Sequence, residues 1–593
     1  VSLPLEAPAA ASPLRRLRRI AASRTAPVEA TALALAVLVF LASVLPNLAN
    51  HPTLTDDEAW VMSASYKLAK DGVFGSDMFR DFYGADSHYY FNMPGHHLVL
   101  AAVFRVIGAG VVQARLVGIA YGLATILLAY SLARRLYGVT AALLSLVLLL
   151  FLRMNMGFDT GLPLQELAAN IRYDLAPVPF MLAGFLLLLG GASGPSPDDP
   201  DAGAGTTLSV TRAALAGLLF GVATLLQFYG AFAIPVAIAF LALERLPRKA
   251  RFKLIGSLAG ASVLVVLPYG IYALAHFDDY RGQVSTVDRR DDFGDPLFYL
   301  RNFVHEPDRF LRPLGFKEVP KGEDPRLVEP RFLSLREMLT RRPSAKLAVL
   351  FGLPLALAFT GWRGLQERRR GDRLLFLALA GVALQFALFD SLKLYIYWIP
   401  MVPLLCIALA PVLLRLLEGF RRSAPSWAPL ERFGHGRTLR LGLAAVTAVC
   451  LLGVLAEGTQ ARVSGIRTSS DETKYARLGD LIHESVPAGS RVAGSTSLWW
   501  AMRDTDYRSY FMFFYVTSPH AGPYRNSIGG FLEDSGTEYM VLTRLGREEL
   551  EKHLAPADRR DLEAFQASRG TLIKRIDGAE AKSYGYIEIW RLR

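Results

Sequence analysis

Cysteine is almost missing from this chain. Only Cys406 and Cys450 occur in 593 residues, each inside its own apolar run. That rules out a thiolate metal site with recognisable spacing and argues against a disulfide framework. Nucleotide-binding fingerprints are lacking too. No P-loop or dinucleotide motif precedes a helix, and Gly494-Ser495-Thr496-Ser497 is too weak a pattern to cradle a phosphate. Negative charge is the scarcer sign, with 53 Asp and Glu against 65 Lys and Arg and a net charge of +12. Such an excess would suit a nucleic acid partner, but the basic residues gather in short connections between apolar runs. That is the distribution of cytoplasmic loops in a membrane protein, so nucleic acid is not an expected partner. Charged residues of both signs reach only 20% against 52% hydrophobic, which excludes one soluble domain of this length.

What the chain has in abundance is long apolar runs. Arg15, Arg16, Arg18, Arg19 and Arg24 precede a run from about Val28 that is longer than a signal-peptide core. Residues 1–27 are therefore expected to be a cytoplasmic tail ahead of an uncleaved first span. Further spans are expected at roughly 93–108, 112–134, 139–156, 173–191, 211–241, 253–275, 345–361, 372–389, 394–417 and 438–456, about eleven with the first at 28–48. An odd number delivers the C-terminus to the outer side. The loops Glu244-Arg245-Leu246-Pro247-Arg248-Lys249, Arg363 with Arg368–Arg370, and Arg421-Arg422 through Arg437 then fall inside. Arg134-Arg135 falls outside by the same count, so either that hairpin breaks the bias or the short second span is wrongly drawn.

The expected fold class is thus a polytopic α-helical membrane protein, multi-pass in the inner or plasma membrane. It divides into a transmembrane domain over 28–456 and an extracytoplasmic α/β domain over 457–593. Outer segments are expected at 49–92, at 192–210 (a Gly, Ser, Pro and Asp loop without function of its own), and at 276–344, a length usual only for functional or disordered loops. In the C-terminal domain the pattern predicts a helix over 472–485 and a turn at Pro487-Ala488-Gly489. Strands are expected near Arg491–Ala493, Glu538–Leu542, Thr571–Ile576 and Tyr584–Trp590, with helical stretches at 497–502 and 547–554.

The stretch richest in chemistry is Thr55-Asp56-Asp57-Glu58-Ala59-Trp60, just past the first span. Thr55 and Glu58 have capping-box spacing, which predicts a helix through about Lys70. Met62, Tyr66 and Ala69 give it one apolar stripe, suited to lying at the membrane surface. Asp56, Asp57 and Glu58 in its first turn are candidate catalytic acids, although first-turn acids also simply favour a helix terminus. Arg172 and Asp174 flank Tyr173 at the head of a span, as snorkelling anchors or as donor-binding groups. Lys393 lies with Tyr395 and Tyr397 between two spans, where it offers a compact cation to a lipid phosphate. His88 precedes Met93-Pro94-Gly95-His96-His97, whose adjacent imidazoles diverge on a helix. Hydrogen bonds from these histidines to phosphate or sugar are favoured. A divalent metal held by Asp57 with His96 or His97 stays open, and no other cofactor is expected.

An outward acidic cluster, an outward cation and a large outer loop suit a substrate that is half lipid and half polar. Sugar transfer from a polyprenyl phosphate needs a cation for the leaving phosphate and a carboxylate to take the acceptor's proton. Direct attack inverts the anomeric carbon, as in the inverting hydrolase scheme. The alternatives are a transporter or flippase of lipid-linked sugars, for which inverted repeats would be expected and none is seen, or a ligase of lipid-linked saccharides, which shares the donor chemistry.

The run Asp57-Glu58-Ala59-Trp60 through Leu68, with Gly72, Met93-Pro94-Gly95, Arg115-Leu116, Arg135-Leu136-Tyr137-Gly138 and Lys393…Tyr397…Pro400, resembles the GT-C superfamily of integral membrane glycosyltransferases. The likeness spans about residues 28–417 and is nearest the branch of protein O-mannosyltransferases and lipid A aminoarabinose transferases. It implies a polyprenyl-phosphate sugar donor, an inverting reaction on the outer face, and Asp57 as base with Asp56 as its nearby alternative. The acceptor would be a cell-envelope glycan, lipid or protein. Where that branch often carries a basic residue and two prolines, this chain has Asn92-Met93-Pro94-Gly95, so the phosphate cation would come from His96, His97 or Lys393. Gln227-Phe228-Tyr229 likewise stands where relatives often carry Lys or His.

Overall fold

The structure, a computed structural model, describes residues 13–154, 160–190, 208–288, 294–318, 331–418 and 436–593. Residues 1–12 of the tail, nearly all of the 192–210 loop and the basic loop at 419–435 lie outside the described residues. A bundle of apolar helices carries a sheet domain at one end. Among the described residues, six helices are long and apolar enough to cross a membrane: Pro27–Val44, Val111–Tyr137, Arg248–Ala275, Pro343–Gln366, Arg370–Phe389 and Thr438–Ser469. Along Arg248–Ala275, Val263, Leu264, Leu267 and Ile271 point outward and exposed. So continuous an apolar face is tolerable against lipid and would be a liability in water.

We label the helices of the first half α1 (Pro13–Val44), α2 (Asp56–Asp71), α3 (Pro94–Ile107), α4 (Val111–Tyr137), α5 (Val139–Phe151), α6 (Pro163–Ala169), α7 (Pro177–Leu188), α8 (Val210–Leu226), α9 (Ala233–Ala242) and α10 (Arg248–Ala275). The α2 start is capped as its sequence predicts. Thr55 Oγ1 accepts from the Glu58 amide at 3.4 Å, and Glu58 Oε2 accepts from the Thr55 amide at 3.0 Å. Gly72 ends it at φ +73°, a left-handed conformation that costs glycine least, with its N–H returning to the Leu68 carbonyl. The apolar stripe is not turned to lipid. Met62 is fully buried, and Tyr66 packs edge-on against Trp499 and Trp500 at 6.1 and 5.8 Å between ring centroids.

Two of the expected spans take other forms. Residues 94–107 turn back onto α2. Arg105 donates through Nε to the Ala69 carbonyl at 2.8 Å and through Nη2 to that of Leu68 at 3.2 Å, and Phe104 meets Trp500 of the sheet domain. Both ends of α3 therefore stay at the sheet-domain end of the bundle. The long run at 211–241 is a helical hairpin. Gln227 is extended (φ −158°) and its side chain accepts from the Phe228 amide, which interrupts the helix. Gly217 of α8 abuts Leu258 of α10, and Gly221 abuts Ser262 and Val265, so α8 and α10 run parallel. A methyl group added at Gly217 would stand 2.2 Å from the Leu258 carbonyl oxygen, so only glycine allows this approach. Between two parallel helices, α9 must run back.

The far end of the bundle is basic. Arg134 pairs with Glu29 at 2.6 Å, Arg370 reaches the Leu188 carbonyl and Glu244, Arg373 also pairs with Glu244, and Arg363 pairs with Asp372 at 3.2 Å. Arg134-Arg135 thus shares an end with the other basic loops. The conflict in the sequence count came from the 93–108 run, which was counted as a span but forms the helix Pro94–Ile107 packed on α2.

The sheet domain has strands β1 (Arg491–Gly494), β2 (Asp506–Ser509), β3 (Tyr539–Thr543), β4 (Gly570–Ile576) and β5 (Ile587–Leu592) in the order β2-β1-β3-β5-β4. The pairs β1/β2 and β1/β3 are parallel, and β5 is antiparallel to both β3 and β4. The final long helix continues to Ser469, past the expected boundary at 457. Strand β2 and the helices Phe511–Thr517, Ile528–Asp534 and Pro556–Arg569 are additions to the expected list. The first outer segment clasps this domain: Arg80 to Asp506 at 2.9 Å, Arg508 to Asp81 at 2.8 Å, Tyr83 to the Ala521 carbonyl at 2.7 Å and Thr53 to Glu472 at 2.7 Å.

Candidate active site

A cavity of about 1170 Å³ opens between the bundle and the sheet domain. Its wall includes Asp56, Asp57 and Trp60 of α2, Glu166 and Arg172 near α6, Arg312 and Tyr395 from the outer loops, and Phe511, Arg544 and Glu549 of the sheet domain.

Three consecutive acids at the start of α2 have three different fates, because each residue turns the helix by about 100°. Glu58 is fully buried. Its Oε1 takes Arg115 Nη2 at 3.0 Å and the Ile171 amide at 3.1 Å, while Arg115 also donates to the Leu48 and Pro52 carbonyls at 2.9 and 2.6 Å. Both charges of this pair are satisfied, the condition under which a buried ion pair is tolerable. Asp56 faces the sheet domain, accepting from the Ser497 amide at 2.8 Å and from the Tyr510 hydroxyl at 3.2 Å. The same hydroxyl meets Glu549. Of the three, Asp57 is the exposed one: its side chain is 58% exposed and faces the open cavity.

Arg172 holds Asp57 in place. Its Nη1 pairs with Asp57 Oδ2, and its Nε donates to Asp174 Oδ2 at 2.7 Å. Burial pulls the Arg172 guanidinium down, but Asp174 and Asp57 beside it more than reverse that, so it stays charged with its pKa raised. Asp174 is itself buried, and its second oxygen has no partner among the described residues.

The remaining candidates lie elsewhere. Tyr395 is on the cavity wall, whereas Tyr397 packs at a tilt against Tyr229, 5.0 Å between ring centroids. Lys393 is buried on Glu306 at 2.8 Å and the Ala387 carbonyl at 3.0 Å, away from the cavity lining. Burial lowers its pKa, against the pull of Glu306. His97 Nδ1 lies 3.0 Å from Ser65 Oγ and 3.2 Å from the Val61 carbonyl, and His96 packs near Tyr121. Both imidazoles are buried behind α2, so they are not assembled with Asp57 around a common point. His88 stacks on His276 at 3.7 Å and meets Asp279 at 2.9 Å. Among the described residues these three form the group close enough to share an ion, and they are not part of the cavity wall. Arg312, Tyr510 and Glu549 carried no local sequence signal. Arg312 lies in a long loop without periodicity, Tyr510 precedes a helix that the sequence pattern did not predict, and Glu549 falls in the expected 547–554 helix, where nothing local sets it apart.

No family model matches the chain, and no curated protein sequence matches it. Solved structures do. ArnT from Cupriavidus metallidurans in the apo state aligns with a TM-score of 0.54 at 15% identity, covering 96% of this chain and 98% of that one. The same protein bound to undecaprenyl phosphate gives 0.53 and 15%, covering 94% and 97%. The oligosaccharyltransferase of Archaeoglobus fulgidus in the apo form gives 0.53 and 15%, covering 88% of this chain and 70% of that one. Over nearly its whole length, then, the chain has the GT-C fold of integral membrane glycosyltransferases.

Proposed function

We propose that this protein is an inverting glycosyltransferase. It moves a sugar from a polyprenyl-phosphate donor to a hydroxyl of a cell-envelope glycan, lipid or protein at the outer membrane face. The observation that carries this reading is Asp57: one carboxylate of three, open to a large cavity and oriented by a charged arginine. Two proteins of the same fold support the donor class, ArnT in complex with undecaprenyl phosphate and the archaeal oligosaccharyltransferase in complex with a dolichol-phosphate. With the basic end of the bundle in the cytoplasm, the cavity and sheet domain stand outside.

In this scheme Asp57 takes the proton of the acceptor hydroxyl as its oxygen attacks the anomeric carbon. The bond from that carbon to the phosphate oxygen breaks on the opposite face, and the polyprenyl phosphate leaves. A phosphate is a good leaving group, so one base suffices and no second carboxylate has to act as acid. Arg172 holds Asp57 aimed into the cavity.

The test is a transfer assay on the purified protein with a panel of short-chain polyprenyl-phosphate sugars. Released polyprenyl phosphate is measured by mass spectrometry, with and without envelope acceptor and with and without EDTA. Acceptor-dependent release from one donor, with an inverted linkage in the product, is the expected result. No release from any donor by folded, lipid-bound protein would overturn the reading in favour of transport or a diphosphate-linked donor. Loss of release in EDTA, restored by a divalent ion, would add a metal to the scheme.

A further inference from the structure

The helix Phe511–Thr517 of the sheet domain has one polar residue, Thr517, whose hydroxyl returns to the Phe513 carbonyl at 2.9 Å. Met512, Phe513 and Val516 are buried in the core of the domain. Phe511, Phe514, Tyr515 and the C-cap Ser518 recur at i, i+3, i+4 and i+7, the spacing that puts side chains on one helix face, and all four are on the cavity wall. The rings of Phe511 and Phe514 are only half-buried there. A helix that is apolar all round belongs wholly inside a protein. An aromatic face left towards an open cavity is therefore a cost unless a substrate covers it.

This face adjoins the proposed base. Trp60 lies one turn along α2 from Asp57, about 4.5 Å along the axis, and is on the same wall. Its indole meets the Phe511 ring edge-on at 5.2 Å between centroids, and the Phe514 ring follows 6.1 Å from that of Phe511. Polar groups border the rings: Ser518 on the helix itself, and Arg544 and Glu549 from the helix Arg544–His553. Arg544 is 46% exposed and reaches Glu548 only at 3.7 Å. An acyl chain on these rings would offer nothing to Arg544 or Glu549 and would strip them of water. A peptide is commonly held by backbone hydrogen bonds along a strand edge, and a helix face presents none. A sugar ring has both kinds of surface. Its C–H face, with partial positive charge, suits the negative face of an aromatic ring, and the hydroxyls at its rim can meet carboxylate and guanidinium groups.

We infer that Phe511, Phe514 and Trp60 form the platform of the acceptor, and that the acceptor is a saccharide, seated ring on ring with one hydroxyl presented to Asp57. This rests on the reaction proposed above and narrows its acceptor from glycan, lipid or protein to the glycan.

Full-length protein in detergent is given delipidated envelope oligosaccharide, a short serine/threonine peptide or diacylglycerol as acceptor. Initial rates of polyprenyl-phosphate release give KM for each substrate, and tryptophan fluorescence follows binding of the oligosaccharide without donor. Only the oligosaccharide is expected to support release. Phe514→Ala should raise both its KM and its Kd by about threefold to tenfold, the worth of one aromatic contact, with the donor KM unchanged. Phe514→Tyr, which keeps the ring, should restore both values. Unchanged oligosaccharide affinity in Phe514→Ala, or a rise confined to the donor KM, would overturn the platform and leave the reaction standing. Release supported by the peptide or diacylglycerol instead would overturn the saccharide assignment. Wild type that binds the oligosaccharide through Phe514 yet releases no polyprenyl phosphate would overturn the reaction and keep the platform, and wild type that does neither would overturn both. Should Phe514→Ala fail to fold, Phe514→Leu, apolar without a ring, is read in the same way.

Discussion

Replacing Asp57 by asparagine separates catalysis from folding at this site. The side chain is 58% exposed, so its pair with Arg172 is a solvent-screened contact, and such pairs contribute about 0–1 kcal/mol. Asparagine keeps the size and one oxygen for Arg172, which still holds Asp174 at 2.7 Å. Stability should therefore move by no more than about 1 kcal/mol. The chemical step should suffer far more, because a positioned general base contributes about 10²–10⁴-fold. At 1.36 kcal/mol per decade that is about 2.7–5.4 kcal/mol of barrier. The assay is the initial rate of polyprenyl-phosphate release, run beside donor-binding and thermal-melting measurements. The expected pattern is unchanged melting, donor affinity within a few fold of wild type, and turnover down by at least a hundredfold. Turnover within tenfold of wild type would remove Asp57 as base. A rate loss matched by an equal loss of donor affinity would make it a binding residue.

The neighbouring acids should behave differently. Glu58→Gln strands the fully buried Arg115 and is expected to destabilise the fold by about 3–5 kcal/mol, visible as a lower melting temperature or lost expression; a melting curve like that of wild type would contradict the buried-pair argument. Tyr510→Phe removes the hydroxyl between Asp56 and Glu549. It should cost about 1–3 kcal/mol, and combined with Asp56→Asn the losses should fall short of additive, whereas strict additivity would deny the link. Burial raises the Glu472 carboxyl, and hydrogen bonds from His51, Ser583 and Thr53 more than reverse this, leaving it below its ordinary 4.5. A depressed carboxyl contributes stability above its unfolded value that is lost as pH falls through the folded one. The clasp between residues 51–53 and the sheet domain should thus loosen below about pH 4.5, seen by hydrogen exchange, and Glu472→Gln should abolish that pH dependence.

Much of this was legible in the sequence because it was local. The capping box Thr55–Glu58 needs only the spacing of two residues, and it is present as expected. Strands β1, β3 and β4 are short apolar alternations bounded by turn residues, and they fall within a residue or two of the expected positions. What was not legible depended on partners distant in the chain. The stripe of Met62 and Tyr66 fits a lipid surface as well as it fits Trp499 and Trp500, and only the tertiary fold chooses between them. Hydropathy cannot separate one run of 31 residues from two helices joined at Gln227, since nothing but that extended residue interrupts it. The chemistry of Asp56, Asp57 and Glu58 was recognised as a cluster. Their division into tether, exposed acid and anchor comes from groups between 57 and 454 positions away. Lys393 shows the reverse case: a cation well placed by sequence has its charge taken up by Glu306, 87 positions earlier.

The cavity also bears on the order of events. Pockets that hold one drug-sized ligand measure about 300–1,000 Å³, and this one, at about 1170 Å³, lies beyond that range. Its wall is built from both halves of the molecule, with Asp57, Arg172 and Arg312 on the bundle side and Phe511, Arg544 and Glu549 on the sheet domain. A single displacement requires exactly such shared room, because the acceptor hydroxyl must reach the anomeric carbon while the donor phosphate is still bound. A double displacement would need only one substrate at a time and a second carboxylate as nucleophile. Neither neighbour of Asp57 is free for that role, since Glu58 is buried on Arg115 and Asp56 is engaged by Ser497 and Tyr510. Initial rates measured over a grid of donor and acceptor concentrations should therefore give intersecting double-reciprocal lines, with no release of polyprenyl phosphate in the absence of acceptor beyond slow hydrolysis. Parallel lines with a burst of release before acceptor is added are the signature of a covalent intermediate. That result would require one of the tethered acids to leave its partner and would refute the single-base mechanism, even with Asp57 essential.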